Sequence, residues 1–383
     1  MQLQFARTNA EHLAQPLTER WNELLTERSN VYKMYNSPSW WQHLLLCDRH
    51  ATHELVLVTD STNEIVGIVP LRTAKQDLGI SIGRRGFNVS SIKCLEVLGS
   101  QLLLPASSDC YRQFFRWIWF NYPDIDGVYF KSVTNDSFEW KFMDDACWNI
   151  DGSLVYKSHA SRILHKLTLA GSFEDYLSTH FRNKKRYNLK RQVRVLGGVA
   201  ESGASIQCIV DAGDVPLFNS HVKAIAGRSW KARGTPGAMP GFAEDDDVLA
   251  DVASRGLLRA YLLFLDGVPI TYVLGYQFHD IYHYADIGFD AVYGKYSPGC
   301  VLLYRIIEDL AHNTEVRLIN FGIGDSEYKR QFANDSVSDN SMFVLRNSMR
   351  NRLQFVVNEI VKGAKERLRP IGTSVLKQLK PIG

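Results

Sequence analysis

The chain has 383 residues, 45% of them hydrophobic and 22% charged, with 44 Lys+Arg against 41 Asp+Glu and a formal charge of +3. This length exceeds one average domain and points to two, and the composition excludes a fibre, a collagen and a wholly disordered chain. So small a net charge excludes blanket neutralisation of nucleic acid, and any basic surface must be local.

The first residues, Met1 to Arg7, hold no apolar signal-peptide run. The greasy stretch Phe114 to Phe120 is broken by Arg116 and is far too short to span a bilayer. Cys47, Cys94, Cys110, Cys147, Cys208 and Cys300 lie far apart with no CxxC pair. The expectation is a cytoplasmic protein with reduced thiols and no metal site.

In chain order, residues 54 to 72 place two β-rich runs either side of Asp60-Ser61-Thr62-Asn63, the pattern of a hairpin. Residues 181 to 194 carry seven Lys/Arg and no acid at helical spacing. Cations so dense repel one another, so an anionic partner is expected there, a polysaccharide, phosphorylated carrier or tRNA, with a merely solvated helix as the alternative. Arg182, Lys185 and Arg186 are the candidate contacts, with Tyr187 available to stack on a sugar or base. The Gly/Pro-rich stretch 234–241 is a candidate lid, and Glu244-Asp245-Asp246-Asp247 reads as a loop tip.

Residues 257 to 277 repeat the hairpin design around Asp266-Gly267. The displacement from the first hairpin is about 200 positions, which suggests an internal duplication. A strand over Ile281–Gly288 follows, then Ser297-Pro298-Gly299, and a helix over 299–313 with Leu302, Leu303, Ile306, Ile307, Leu310 and Ala311 on one face. Arg317–Phe321 is a further short strand, able to return parallel to its predecessor. Ser297 suits an N-cap and Pro298 the first helical position, so the helix start offers outward amides to an anion. The same residues also make an ordinary helix start. A basic amphipathic helix is expected over 346–383, with nine Lys/Arg against Glu359 and Glu366.

Five features recur together: the basic helix, the Asp-Gly hairpin, Gly288-Phe289-Asp290, Tyr296-Ser297-Pro298-Gly299, and Gly324-Asp325 followed by Tyr328-Lys329. In this order they resemble the CelD/BcsL-type acetyltransferase family of the GNAT superfamily over roughly 160–335. Such proteins are similar in turn to the Fem-type aminoacyl transferases, which carry two GNAT-like halves. The resemblance implies an α+β (mixed α/β) GNAT fold: a degenerate half over 1–155, a catalytic half over 156–345 and the basic tail 346–383.

It also implies an N-acyltransferase that moves an acyl group, most simply acetyl, from acetyl-CoA or another acyl-CoA to an amine acceptor. That acceptor would be a sugar or a precursor in bacterial polysaccharide or cell-envelope synthesis. The cofactor would lie along Ile281–Gly288, with its phosphates at Lys295, Tyr296, Ser297, Pro298, Gly299 and Cys300. This turn has one glycine where ordinary members have a Gln/Arg-x-x-Gly-x-Gly/Ala loop. An amine needs its proton removed before attack. Asp290 and Asp325 are candidate acceptors, each equally able to serve its own turn or cap, and His283 is a third candidate if it does not face solvent. Tyr328 and Tyr293 are candidate donors to the leaving thiolate, and Lys329 would neutralise phosphate or pair with Asp325. Two further readings stay open: a Fem-type transferase using aminoacyl-tRNA, and a non-catalytic scaffold whose tail contacts an anionic membrane peripherally.

Overall fold

The computed structural model describes residues 2–8, 13–28, 30–82, 85–144, 153–199, 201, 203–229, 245–353 and 356. The candidate lid, Glu244 and nearly all of the basic tail lie outside them; of the tail, residues 349–353 are helical. The chain divides into two compact units. The first is Met1–Trp41, Asp48–Ala160 and the chain from Asn340 onward; the second is Gln42–Cys47 and Ser161–Asp339.

In the first unit β1 (Gln4–Thr8), β2 (His53–Thr59), β3 (Ile65–Ile82) and β4 (Arg85–Val97) pair antiparallel in sequence order, and β5 (Gly127–Thr134) joins β4 in parallel. The expected first hairpin is β2–β3. Its turn is fixed by the Asp60 carboxylate, which accepts from the amides of Thr62 (2.8 Å) and Glu64 (3.1 Å). Helix α1 (Gln15–Thr26) is followed by α2 (Pro38–Cys47), whose last residues belong to the second unit. Helix α3 (Ser108–Asn121) buries Cys110, Tyr111, Phe114, Phe115 and Ile118, three or four residues apart, against the same core as Val56, Val69 and Leu95.

After Val97 this unit closes on itself. The amide of Asn36, fully buried, donates to the carbonyls of Leu98 (3.0 Å) and Gln101 (2.8 Å), while Ser132 N–H donates to Ser100 Oγ (3.0 Å). The place where β4 leaves β5 is thus filled by the chain's own side chains.

Strands β6 (Ser153–Thr168) and β12 (Asp335–Arg346) each pass from one unit to the other. In the second unit the strand order from β6 is β11 (Leu318–Ile323), β10 (Ile281–Phe289), β9 (Val268–Phe278), β8 (Ala260–Leu265) and β7 (Ala204–Ile209). The expected second hairpin is β8–β9, with Asp266 and Gly267 both at positive φ (48° and 75°), the conformation a two-residue hairpin turn demands. Strand β11 does return parallel to β10. The expected helical period holds in α9 (Pro298–Asn313): Leu302, Leu303, Ile306, Ile307 and Leu310 are buried against the sheet with Tyr282 and Tyr284. The basic segment forms α6 (Asn183–Gly197), which follows α5 (Phe173–His180) and anchors through buried Leu189 and Leu196.

The acidic run differs from expectation. Asp245 is the N-cap, and Asp246 and Asp247 the first turn, of α8 (Asp246–Ser254), not a loop tip. Three carboxylates suit the positive end of a helix, which the loop reading overlooked. Helix α7 (Val215–Arg228) precedes it, and α10 (Glu327–Phe332) follows β11.

Candidate active site

Strand β10 pairs with β11 only at Ile281–Leu318, Tyr282–Ile319 and His283–Asn320. Beyond that point no β10–β11 ladder continues among the described residues, while β10 stays paired to β9 as far as Phe289. Two adjacent parallel strands therefore part, and the slot is the β10 edge from Tyr284 to Phe289 that β11 leaves unpaired among the described residues. Where the strands part, β11 turns at Gly322 with φ +70°, a conformation in which a side chain would be strained.

At the head of the slot β10 bulges between Tyr284 and Asp286. A bulge leaves one residue outside the regular ladder and re-aims its neighbours. Here that residue is Ala285, which is exposed. Next to it the Asp286 carboxylate accepts from Tyr272 Oη at 2.7 Å. Gly288 makes this possible: it sits opposite Tyr272, and a Cβ there would come to 2.3 Å of the Tyr272 ring. Tyr328, on α10, has its ring 6.0 Å from Tyr284. Burial and the nearby Asp286 charge push the Tyr328 phenol up to about 12, so it is protonated at neutral pH.

At the foot of the slot the chain does not step directly from strand to helix. A 3-10 turn, Ala291–Tyr296, intervenes, and its N-cap is Asp290, which accepts from Val292 N–H at 3.0 Å. Asp290 is buried and also bonded by Arg228 Nε at 2.6 Å, so its carboxylate is committed to the turn. Ser297 occupies the N-cap position of α9 but in the left-handed conformation (φ 54°, ψ 50°), with no capping bond from its side chain. Pro298 takes the first turn as expected. Gly299 lets the helix start close on the strand, since a Cβ would meet Ile287 Cδ1 at 3.1 Å.

Cations gather at this end. Helix α6 packs against the 3-10 turn and α9. Burial pushes the Cys300 thiol up while the Lys185 charge pulls it back, which places Lys185 within electrostatic reach of the first turn of α9. Lys185 Nζ donates to Gln331 Oε1 at 2.9 Å. Lys295 lies over the Tyr296 ring at 4.9 Å. Arg182 and Tyr187 are exposed, and Arg186 bonds Asn183.

The remaining sequence candidates have neighbours of their own. Asp325 is not the cap of α10, a position held by Ser326; it pairs with His165 (3.0 Å) and with Arg330. The hydrogen bond from His165, ahead of Arg330, holds its carboxyl below the ordinary range. Lys329 is buried, and its Nζ donates to the carbonyls of Gly322 (3.2 Å) and Ile323 (3.0 Å). Burial lowers its ammonium. Lys329 thus braces the end of β11, and the Asp325 charge raises its ammonium against that burial. His283 is buried beside Asn320 at the last β10–β11 pair and does not face solvent. Tyr293 packs against the core. Sequence reading did not single out Asp286 and Tyr272; an acid soon after the run Tyr282-His283-Tyr284, two residues before a glycine, was the available signal. Among the described residues no three His, Cys, Asp or Glu are grouped to hold a metal ion, and no helix is long and apolar enough to cross a membrane.

Residues 183–330 match the family described as "Acetyltransferase (GNAT) domain". The chain carries a GNAT acyltransferase domain. This match runs from the basic helix to α10 and includes the whole slot. No curated protein is a significant sequence relative of the chain. Among solved structures, FemX is similar at 8% identity and TM-score 0.60, covering 92% of this chain and 100% of that one. The C-terminal domain of a putative lysylphosphatidylglycerol synthetase from Agrobacterium fabrum is similar at 12% identity and TM-score 0.51, over 90% and 95% of the two chains. A conserved protein of unknown function from Bacteroides thetaiotaomicron follows at 9% and 0.52, over 86% and 97%. At these identities the likeness is one of fold, and it extends beyond the GNAT domain to nearly the full chain.

Proposed function

We propose that the second unit transfers an acyl group, most simply acetyl, from acyl-CoA to an amine. The observation that carries this is the parting of β10 and β11 beside a cationic helix start. An extended pantetheine arm fits the slot by pairing with the β10 edge, and its phosphates fit the α9 start near Lys185, Lys295 and Gly299. The residues present therefore suit coenzyme A even though the turn has one glycine where ordinary members have several. The first unit, whose corresponding place is filled by Asn36 and Ser100, is read as the degenerate half of a tandem pair.

In this reading Asp286 takes the proton from the ammonium, directly or through water, while the Tyr272 hydroxyl holds the carboxylate in place. The amine attacks the thioester carbonyl, the C–N bond forms, the C–S bond breaks to release a thiolate, and the second proton shed by the attacking nitrogen passes, directly or through water, to that thiolate to give the free thiol. A bulge amide beside Ala285 is suited to bond the carbonyl oxygen as negative charge develops. Tyr328 is suited to hydrogen-bond the departing thiolate. Full proton transfer from a phenol near 12 to a thiolate of ordinary basicity would be uphill by about three to four pK units. Asp290, Asp325, Lys329 and His283 become supports of the slot: the first two sit in ion pairs, and Lys329 braces β11. Arg182, Lys185, Arg186 and Tyr187 remain the proposed contacts for an anionic acceptor or carrier. A sugar or lipid-linked precursor of envelope polysaccharide is the acceptor class that the CelD/BcsL resemblance suggests.

The cations of α6 favour one second reading, a Fem-type transferase that draws on aminoacyl-tRNA. Calorimetric titration of the full chain with acetyl-CoA and, separately, with aminoacylated tRNA distinguishes them. Saturable acetyl-CoA binding supports the first reading, tRNA binding alone the second, and binding of neither removes both.

A further inference from the structure

Outside the slot, the second unit holds another group of chemically able side chains. Cys47 ends α2 and is exposed; one turn earlier His43 is buried, with 4% of its surface accessible. The i, i+4 spacing brings the two to one helix face, with Cys47 Sγ 3.6 Å from His43 Nε2. The other ring nitrogen, His43 Nδ1, lies 2.8 Å from Asp251 Oδ2 on α8. Asp251 is itself clamped by Arg255, Nε to Oδ2 at 2.8 Å and Nη2 to Oδ1 at 2.9 Å, and Arg255 Nη1 donates to Gln42 Oε1 at 2.8 Å.

This arrangement selects the tautomer of the neutral ring. Burial pushes the Asp251 carboxyl up, but the bonds from Arg255 and His43 carry it below the ordinary range, so it is ionised and acceptor-only. His43 must therefore donate from Nδ1, which leaves Nε2 as an acceptor aimed at the Cys47 thiol. Nucleophile, base and orienting carboxylate then stand in sequence, the order that activates a thiol or hydroxyl in unrelated folds.

We propose that Cys47, His43 and Asp251 form a second reactive centre of this chain, a base-activated thiol that exchanges with low-molecular-weight disulfides. Cys47 Sγ attacks one sulfur of the disulfide as its proton passes to His43 Nε2. The old S–S bond breaks, a new one forms to Cys47, and the departing thiolate takes the proton back from the imidazolium. The products are a Cys47 mixed disulfide, a free small thiol and neutral His43, with no oxidant other than the disulfide. Because Cys47 closes α2, the negative end of the helix disfavours a standing thiolate. Proton transfer therefore accompanies attack, and the gain is that of general-base catalysis.

The test uses the full chain, reduced and then freed of reductant, incubated with oxidised glutathione at neutral pH. Modification at each cysteine is followed by peptide mapping, in the native chain and in the chain unfolded by guanidinium chloride. Native Cys47 is expected to react about tenfold or more faster than the same residue unfolded, whereas half-buried Cys208 and Cys300 react more slowly when native. His43→Gln should bring native Cys47 down to the unfolded rate. The comparison within the unmutated chain decides even if that variant does not fold: a native Cys47 rate at or below the unfolded one overturns the proposal.

Discussion

Tyr272 Oη reaches Asp286 Oδ2 at 2.7 Å because Gly288, the cross-strand partner of Tyr272, leaves its ring room to lie across the strand. The pair puts one carboxylate, held by one phenol, beside the bulge where the slot begins. Asp286→Asn should lower kcat/KM for acetyl transfer by about two to four orders of magnitude, with thermal stability little changed. Tyr272→Phe, which removes one hydrogen bond to the carboxylate and keeps the carboxylate itself, should cost less. Steady-state rates at saturating acyl donor measure both, and full activity in Asp286→Asn removes it as the base.

Gly288→Ala forces a Cβ into the Tyr272 ring at 2.3 Å. Overpacking of this kind costs about 1–3 kcal/mol. Tyr272→Ala in the same chain should return part of that loss, so a double-mutant cycle by urea unfolding is expected to give a coupling of the compensating sign.

Asp290 and Arg228 form a partly buried ion pair at the turn before α9. Asp290→Asn should weaken acyl-CoA binding by loosening that turn while leaving kcat at saturation nearly intact. A fall in kcat without a change in KM would instead make Asp290 a direct participant.

Charge at the slot's foot is testable through salt. Lys185→Glu should raise the Kd for coenzyme A about tenfold or more at low ionic strength, and less in high salt, where exposed charges are screened. Lys190→Glu, farther along α6, should change it less. Equal effects from the two would mean that the helix acts only through its overall field.

Acid stability follows from depressed carboxyls, among them Asp251, Asp309 and Asp325. Burial opposes ionisation of Asp251 and Asp309, but Arg255 and His43 on the one, and Arg259 on the other, outweigh it; His165 and Arg330 hold Asp325. A folded pKa below the unfolded value contributes stability that is complete above the unfolded value, about 4, and is lost as pH falls through the folded one. The melting temperature should therefore be insensitive to these groups near neutrality and decline below about pH 4. His165→Gln should make that decline shallower, and an unchanged profile would show that the Asp325 pair is not felt.

The sequence by itself determined both hairpins, the parallel return of β11 and the buried face of α9, because each rests on local rules: turn residues, alternation and helical spacing. The basic helix was equally legible from composition. Only the tertiary structure decided which carboxylates are taken up in ion pairs, since Asp290 and Asp325 are drawn to Arg228 and His165, residues distant in sequence. It likewise decided that Asp286 lies at a bulge, because a strand's register depends on its partner and a single extra residue redirects its neighbours. Ionic partners and strand registers are properties of chain segments brought together, and no spacing within one segment encodes them.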